Sequence, residues 1–277
     1  MDKELESAGA PNARTRAVYP VGTLFRLTLV ELLRTKRALL YLAMLLVPVA
    51  FSTYHAFTEK MIQDPLYVWG IVFVVAYLDF IVPFTALLFG ATLISAEQET
   101  QTLTYLLSRP VPRWLIALVK YAAAAVVSIV GIGLSMLASY GMLASHPSLV
   151  PIGGNFVYVV LLTGVGGIAL LVYLAIFLFV GMRFRRPAVA GLVFILAWEN
   201  LVGLIPGIIR FVTVVHYLRS LAIEATKGTI VLPRLFTIKA APVSGSLIVL
   251  GVVWAAFLAL SVWYFSRGEF QTSSDRR

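Results

Sequence analysis

The sequence predicts an all-α membrane protein. It has six transmembrane helices, an N-terminal interfacial amphipathic helix and a short cytoplasmic helix after the second span. Two observations carry the class. Hydrophobic residues make up 60% of the 277 and charged residues 13%, whereas a soluble domain is near half apolar and a quarter charged. Mean hydropathy is +0.91, and the apolar residues gather in runs near the ~20 needed for a helix to cross a bilayer.

Residues 1–20, MDKELESAGAPNARTRAVYP, are polar and lack an apolar core followed by a small-residue cleavage site. They read as a flexible cytoplasmic tail and not as a signal peptide. In TLFRLTLVELLRTKR, Thr23 can cap a helix on which Phe25, Leu29 and Leu32 recur at helical spacing. Arg26, Arg34 and Arg37 fall within ~80° of one another at ~100° per residue. That pattern fits a basic helix lying in the inner interface.

The membrane domain covers 21–266, with spans at about 38–57, 69–94, 115–143, 155–182, 188–205 and 244–266. The fifth is short and ends in the polar pair Glu199-Asn200. The following stretch, 206–243, is long and half apolar. It predicts a short helix over about 207–221, lying against the outer membrane surface as a packed cap. Residues 267–277 form a second cytoplasmic tail.

Basic residues orient the chain. With the N-terminus inside, 16 of the 22 lysines and arginines fall on the inner side and six on the outer. Both termini are therefore placed in the cytoplasm, and the protein in the cell membrane. The net charge of +9 suits loops facing anionic lipid, not nucleic acid. Cysteine is absent, which excludes a disulfide framework, a thiolate metal site and a cysteine nucleophile. His55, His146 and His216 have no metal-ligand spacing, so no metal site is expected.

The loop after the second span, ISAEQETQTLTYLLSRPVPRW (Ile94–Trp114), is the polar exception. Ser95 can cap a helix and Gln98 can close a capping box. Glu97 and Glu99 fall in the first turn, where the helix dipole favours carboxylates. Leu103, Leu106 and Leu107 form one apolar stripe. Pro110 disfavours helix at Arg109, and Trp114 marks the interface where the third span begins. The result is a short, capped amphipathic helix. It suits docking of a soluble partner and equally suits lying on the headgroups.

Within the spans, Asp79 is the residue of note. A carboxylate at membrane depth faces the bundle or a water-filled cavity. Pro83 leaves the Asp79 carbonyl without its helical partner and predicts a kink. Asp79 is a candidate for the translocation path or a partnered acid holding the bundle together. Glu199 and Asn200 are candidates for gating the outer exit or for capping that end. Gly131, Ser135 and Ser139 recur at small-xxx-small spacing, which favours close helix packing over substrate contact.

The run Ile94-Ser95-Ala96-Glu97-Gln98-Glu99-Thr100-Gln101-Thr102-Leu103, then Leu106-Leu107, Pro110, Arg113 and Lys120, resembles the signature of the ABC-2 family of ABC-transporter permeases. That signature reads I-S-x-E-x-E-x-G-T-L, then L-L, P, R and K. The resemblance extends to the six-span layout, the basic helix before the first span and the long outer segment. Trp198-Glu199-Asn200 through Pro206, Arg210 and Tyr217-Leu218 is similar to the outer-end region of such permeases. Gln101 departs from the pattern, standing where the family has Gly.

The resemblance implies an export permease that pairs with a second permease copy or homologue. Each copy docks a separate P-loop ABC ATPase subunit through the first inner-loop helix. Glu97, Glu99, Thr102, Leu103, Leu106, Leu107 and Arg113 are the coupling residues it implies. ATP and Mg are expected on that partner; none of the cofactors is expected on this chain, which contains no G-x-x-x-x-G-K-[ST] phosphate loop.

Two other classes compete. A stand-alone secondary transporter could use Asp79 for proton coupling, but no repeat relates the halves as in many such folds. An intramembrane enzyme needs a nucleophile–base pair or metal-binding groups within the spans. Asp79 alone lies well within one, so no catalytic residue is assigned.

Overall fold

Thr35 divides the N-terminal region into two helices. α1 (Val18–Arg34) is amphipathic and α2 (Lys36–Thr58) is apolar. The Thr35 hydroxyl donates to the Leu32 carbonyl, and its own carbonyl accepts from Ala38, so the break satisfies one acceptor of the first helix and one donor of the second. The computed structural model describes residues 18–58, 65–94, 112–145, 156–202, 211–227 and 240–267. No strand occurs among them.

The second span is continuous but not uniform. It runs as α3 (Pro65–Ile71), a π-helix π1 (Val72–Ile81) and α4 (Val82–Gly90). In π1 the ladder widens, and the Val82 N–H donates to the Tyr77 carbonyl five residues back. The disturbance expected from Pro83 is thus recorded as a change of register in the turns before it. The third span is α5 (Arg113–Ala144) and the fourth α6 (Phe156–Arg183). α7 (Pro187–Val193) leads into a second π-helix, π2 (Phe194–Val202). Then come α8 (Val214–Ala225) and α9 (Val243–Arg267).

Five helices are long and apolar enough to cross a membrane: Lys36–Thr58, Val68–Gly90, Trp114–Ala144, Phe156–Arg183 and Val243–Arg267. The expected fifth span, 188–205, is a shorter apolar helix, Pro187–Val202. At 1.5 Å per residue its 16 residues reach about 24 Å, short of a ~30 Å hydrocarbon core.

The fourth span is the pole of the bundle. Of its most apolar window 72% is buried, against 22% for the first span and 11% for the last. The last two therefore turn most of their surface outward, through residues such as Leu39, Val47, Phe51, Ile248 and Val252. Glycine allows the closest approach to the pole: a side chain at Gly181 would collide with the Ala91 carbonyl. The predicted small-residue face of the third span packs as expected. Gly131 lies against the Tyr41 ring, while Ser135 and Ser139 meet the Tyr77 hydroxyl at 2.8 Å each. Ser135 donates to the Leu45 carbonyl at 2.7 Å. Its one hydrogen is then spent, so Tyr77 donates to Ser135 and accepts from Ser139. This relay joins the first three spans.

Contacts along α6 also set direction. Tyr121 donates to the Leu171 carbonyl and accepts from Trp254, while Phe179 meets Phe257 and Tyr264. Advancing from Leu171 to Phe179 matches advancing from Trp254 to Tyr264, so α6 and α9 run the same way. Between them the chain has to return to the opposite end. α7 and π2 form the first part of that return.

Candidate functional site

The sequence places a packed helix at about 207–221, of which 207–210 lie outside the described residues; α8 spans Val214–Ala225 and packs more deeply than an outer cap. It enters the bundle, with Val214, Val215, His216, Leu218, Arg219, Ser220, Leu221 and Ala222 all buried. Arg219 Nη2 donates to Asp79 Oδ1 at 2.8 Å, and the two side chains are each only 4% exposed. Asp79 stands eleven residues before Gly90, about 16 Å along its helix, which is mid-depth for a ~30 Å core. The pair therefore fixes the Arg219 guanidinium at that depth.

Glu199 holds the other end of the same helix. The first N–H groups of α8 have no partner within the helix, and Thr213 makes no side-chain cap. Glu199 supplies the acceptor from a different helix: Oε1 receives the Val214 N–H at 3.3 Å and Oε2 the Val215 N–H at 2.9 Å. A carboxylate here also meets the positive end of the α8 dipole. Gly191 meets the Leu87 side chain, and Glu199 and Asp79 each lie eight residues from that contact, so the two acids stand at nearly the same height. Tyr173 of the fourth span is buried beside Glu199, Asp79 and Arg219. The neighbouring Asn200 turns back on its own helix, donating to the Ile195 carbonyl at 2.8 Å.

The site is thus an acid–base cluster drawn from the second span, the fourth span, π2 and α8. His216 adds a buried aromatic seat between Phe211 and Tyr217, with ring centroids at 4.8 and 5.3 Å. Of the predicted path residues, the structure brings Asp79 and Glu199 onto one helix and leaves Asn200 outside their contacts. Asp79 faces a buried arginine, not an open cavity, in this conformation. Glu199 caps a helix end, but that of α8 and not its own.

The coupling residues Glu97, Glu99, Thr102, Leu103, Leu106 and Leu107 lie outside the described residues. The structure describes the two ends that carry them. Arg113 is the first residue of α5. Lys120, one turn beyond Ile116, is 3% exposed and donates to the Leu93 carbonyl at 3.2 Å. It meets an orphan acceptor at the C-terminal end of the second span, where a cation suits the dipole. Lys120 thereby ties together the two chain ends from which the loop departs.

Arg219, Tyr173 and Tyr77 were missed as functional or network residues. Arg219 had a readable signal. It shares a stripe with Val215 and Ala222 (i−4 and i+3), so a cation sits on an otherwise apolar face. A buried arginine needs an acid, and the apolar runs offer few.

A family model described as ABC-2 family transporter protein matches residues 27–207. A search of curated proteins returned no match. The matched stretch takes in Asp79, Glu199 and the whole loop after the second span. Because it covers well over half of the 277 residues, the chain belongs to the ABC-2 family of transporter proteins, as a multi-pass membrane component of transport.

Proposed function

We propose that the chain is the membrane-spanning permease subunit of an ATP-driven exporter, working with a separate P-loop ABC ATPase and a second permease. The observation that carries this is the family match over residues 27–207, which contains the sequence motif after the second span. Glu97, Glu99, Thr102, Leu103, Leu106, Leu107 and Arg113 form the docking region for the ATPase. ATP and Mg belong to that partner, and the chain itself performs no chemistry. The return path between the fourth and last helices supports six crossings in all. The basic end faces the cytoplasm, with both termini, in the cell membrane. Asp79 and Glu199 border the translocation path by controlling where α8 sits. A proton-coupled secondary transporter is not favoured, since Asp79 is engaged by Arg219.

The test is capture of the partner. Tagged chain purified in mild detergent is expected to retain a P-loop ATPase, and Leu103→Asp is expected to lose it while the chain stays folded. No ATPase in the eluate, together with normal transport by Glu97→Ala and Leu103→Asp, would overturn the reading.

A further inference from the structure

α8 is held by two acids from two different membrane helices, and each acid lies in a π-helix. Asp79 is in π1 (Val72–Ile81) and Glu199 in π2 (Phe194–Val202). These are the two π-helical stretches among the described residues. The coincidence has a mechanical meaning. A π-stretch stores an extra residue against the α-helical register and is common at functional sites. Returning one residue to that register turns one flank by about 100° and advances it by about 1.5 Å. An acid within the stretch is turned as the register changes, and so leaves its partner.

Both holds are polar, so their strength follows hydration. Charge–charge attraction falls about four-fold when the effective dielectric rises from about 20 to that of water. The pair is strong in a dry bundle and weak once water enters between the helices. Apolar packing of Val214, Leu218 and Leu221 has no such dependence.

We infer that α8 is a releasable helix, latched at mid-depth by Asp79–Arg219 and by Glu199 at its N-terminus, and freed when π1 and π2 return to α register. Its meaning for transport rests on the permease reading above; the latch is a property of this chain alone.

Hydrogen–deuterium exchange on the full chain in lipid nanodiscs tests it. In Glu199→Gln, peptides covering Val214–Ala225 are expected to exchange about ten-fold faster than in the parent. In Asp79→Asn/Glu199→Gln the rise is expected to reach about a hundred-fold, with Trp114–Ala144 and Phe156–Arg183 still protected. Exchange in 72–81 and 194–202 is expected to change together with α8. If α8 stays protected in the double variant, or opens only along with the third and fourth spans, the latch is overturned. If α8 opens while 72–81 and 194–202 are unchanged, the register switch is overturned.

Should the neutral variants fail to fold, Asp79→Glu and Glu199→Asp keep the charges but displace them. They are expected to raise α8 exchange several-fold, and parental exchange in both sinks the latch. An α8 that opens as expected in a chain that captures no ATPase would uphold the latch and remove the permease coupling.

Discussion

A single buried charge is the costliest thing a helical bundle can hold, so Asp79 and Arg219 explain each other. Asp79 was legible because it is an acid inside an apolar run. Arg219 was legible as a cation on an apolar face, but its pairing with Asp79 was not, because 140 residues separate the two and a half-apolar segment after the fifth apolar run invites a surface placement. Removing one partner leaves the other buried and uncompensated, at a cost of about 3–5 kcal/mol, whereas replacing both with apolar groups is near neutral. Arg219→Met alone is therefore expected to lower the thermal midpoint of the purified protein markedly. Asp79→Leu/Arg219→Met is expected to recover most of the loss. Additive losses in the double variant would show that the two charges do not act as a pair.

At the scale of elements, the long apolar helices were legible to within a few residues, because length and composition decide whether a helix can cross. The π-helices were not, since Pro83 marks a fault in the ladder without specifying how the ladder heals. Small residues show how closely elements approach. Gly181 faces the Ala91 backbone, which cannot move aside as a flexible side chain would, while Gly251 meets nothing within 4 Å. Gly181→Ala is expected to destabilise by about 1–3 kcal/mol through overpacking. Gly251→Ala is expected to be neutral or to stabilise by up to about 1 kcal/mol, the helix-propensity difference. Thermal unfolding in detergent separates the two, and equal effects would contradict the packing. Lys120 extends the same logic to a helix end. Lys120→Met keeps the stem but loses the charged donor to Leu93, an expected loss of about 1.5–3 kcal/mol in the same assay. An unchanged midpoint would mean that the bond to Leu93 adds nothing.

For the whole molecule, topology constrains orientation. Lys36 and Arg37 open the first span, Arg183 ends the fourth with Arg185 and Arg186 just after it, and Arg267 ends the last. Contacts between Phe179 and Tyr264, and between Gly181 and Ala91, gather the ends of the second, fourth and last spans together. Arg267 stacks over Trp263 at 4.9 Å, an aromatic–cation pair suited to the headgroup level. One end of the bundle is therefore strongly basic, and the positive-inside bias supports the proposal that this end faces the cytoplasm.

The chain contains no cysteine, so a thiol introduced anywhere reports without background. Arg185 is exposed at the basic end, and Ser145 is exposed where the third span finishes at the other. A membrane-impermeant maleimide is expected to label Ser145→Cys and not Arg185→Cys in intact cells, and the reverse in inside-out vesicles. The opposite pattern would invert the protein. The loop after the second span would then face outward, where no ATP-driven partner could reach it, and the coupling assignment would fall with the orientation.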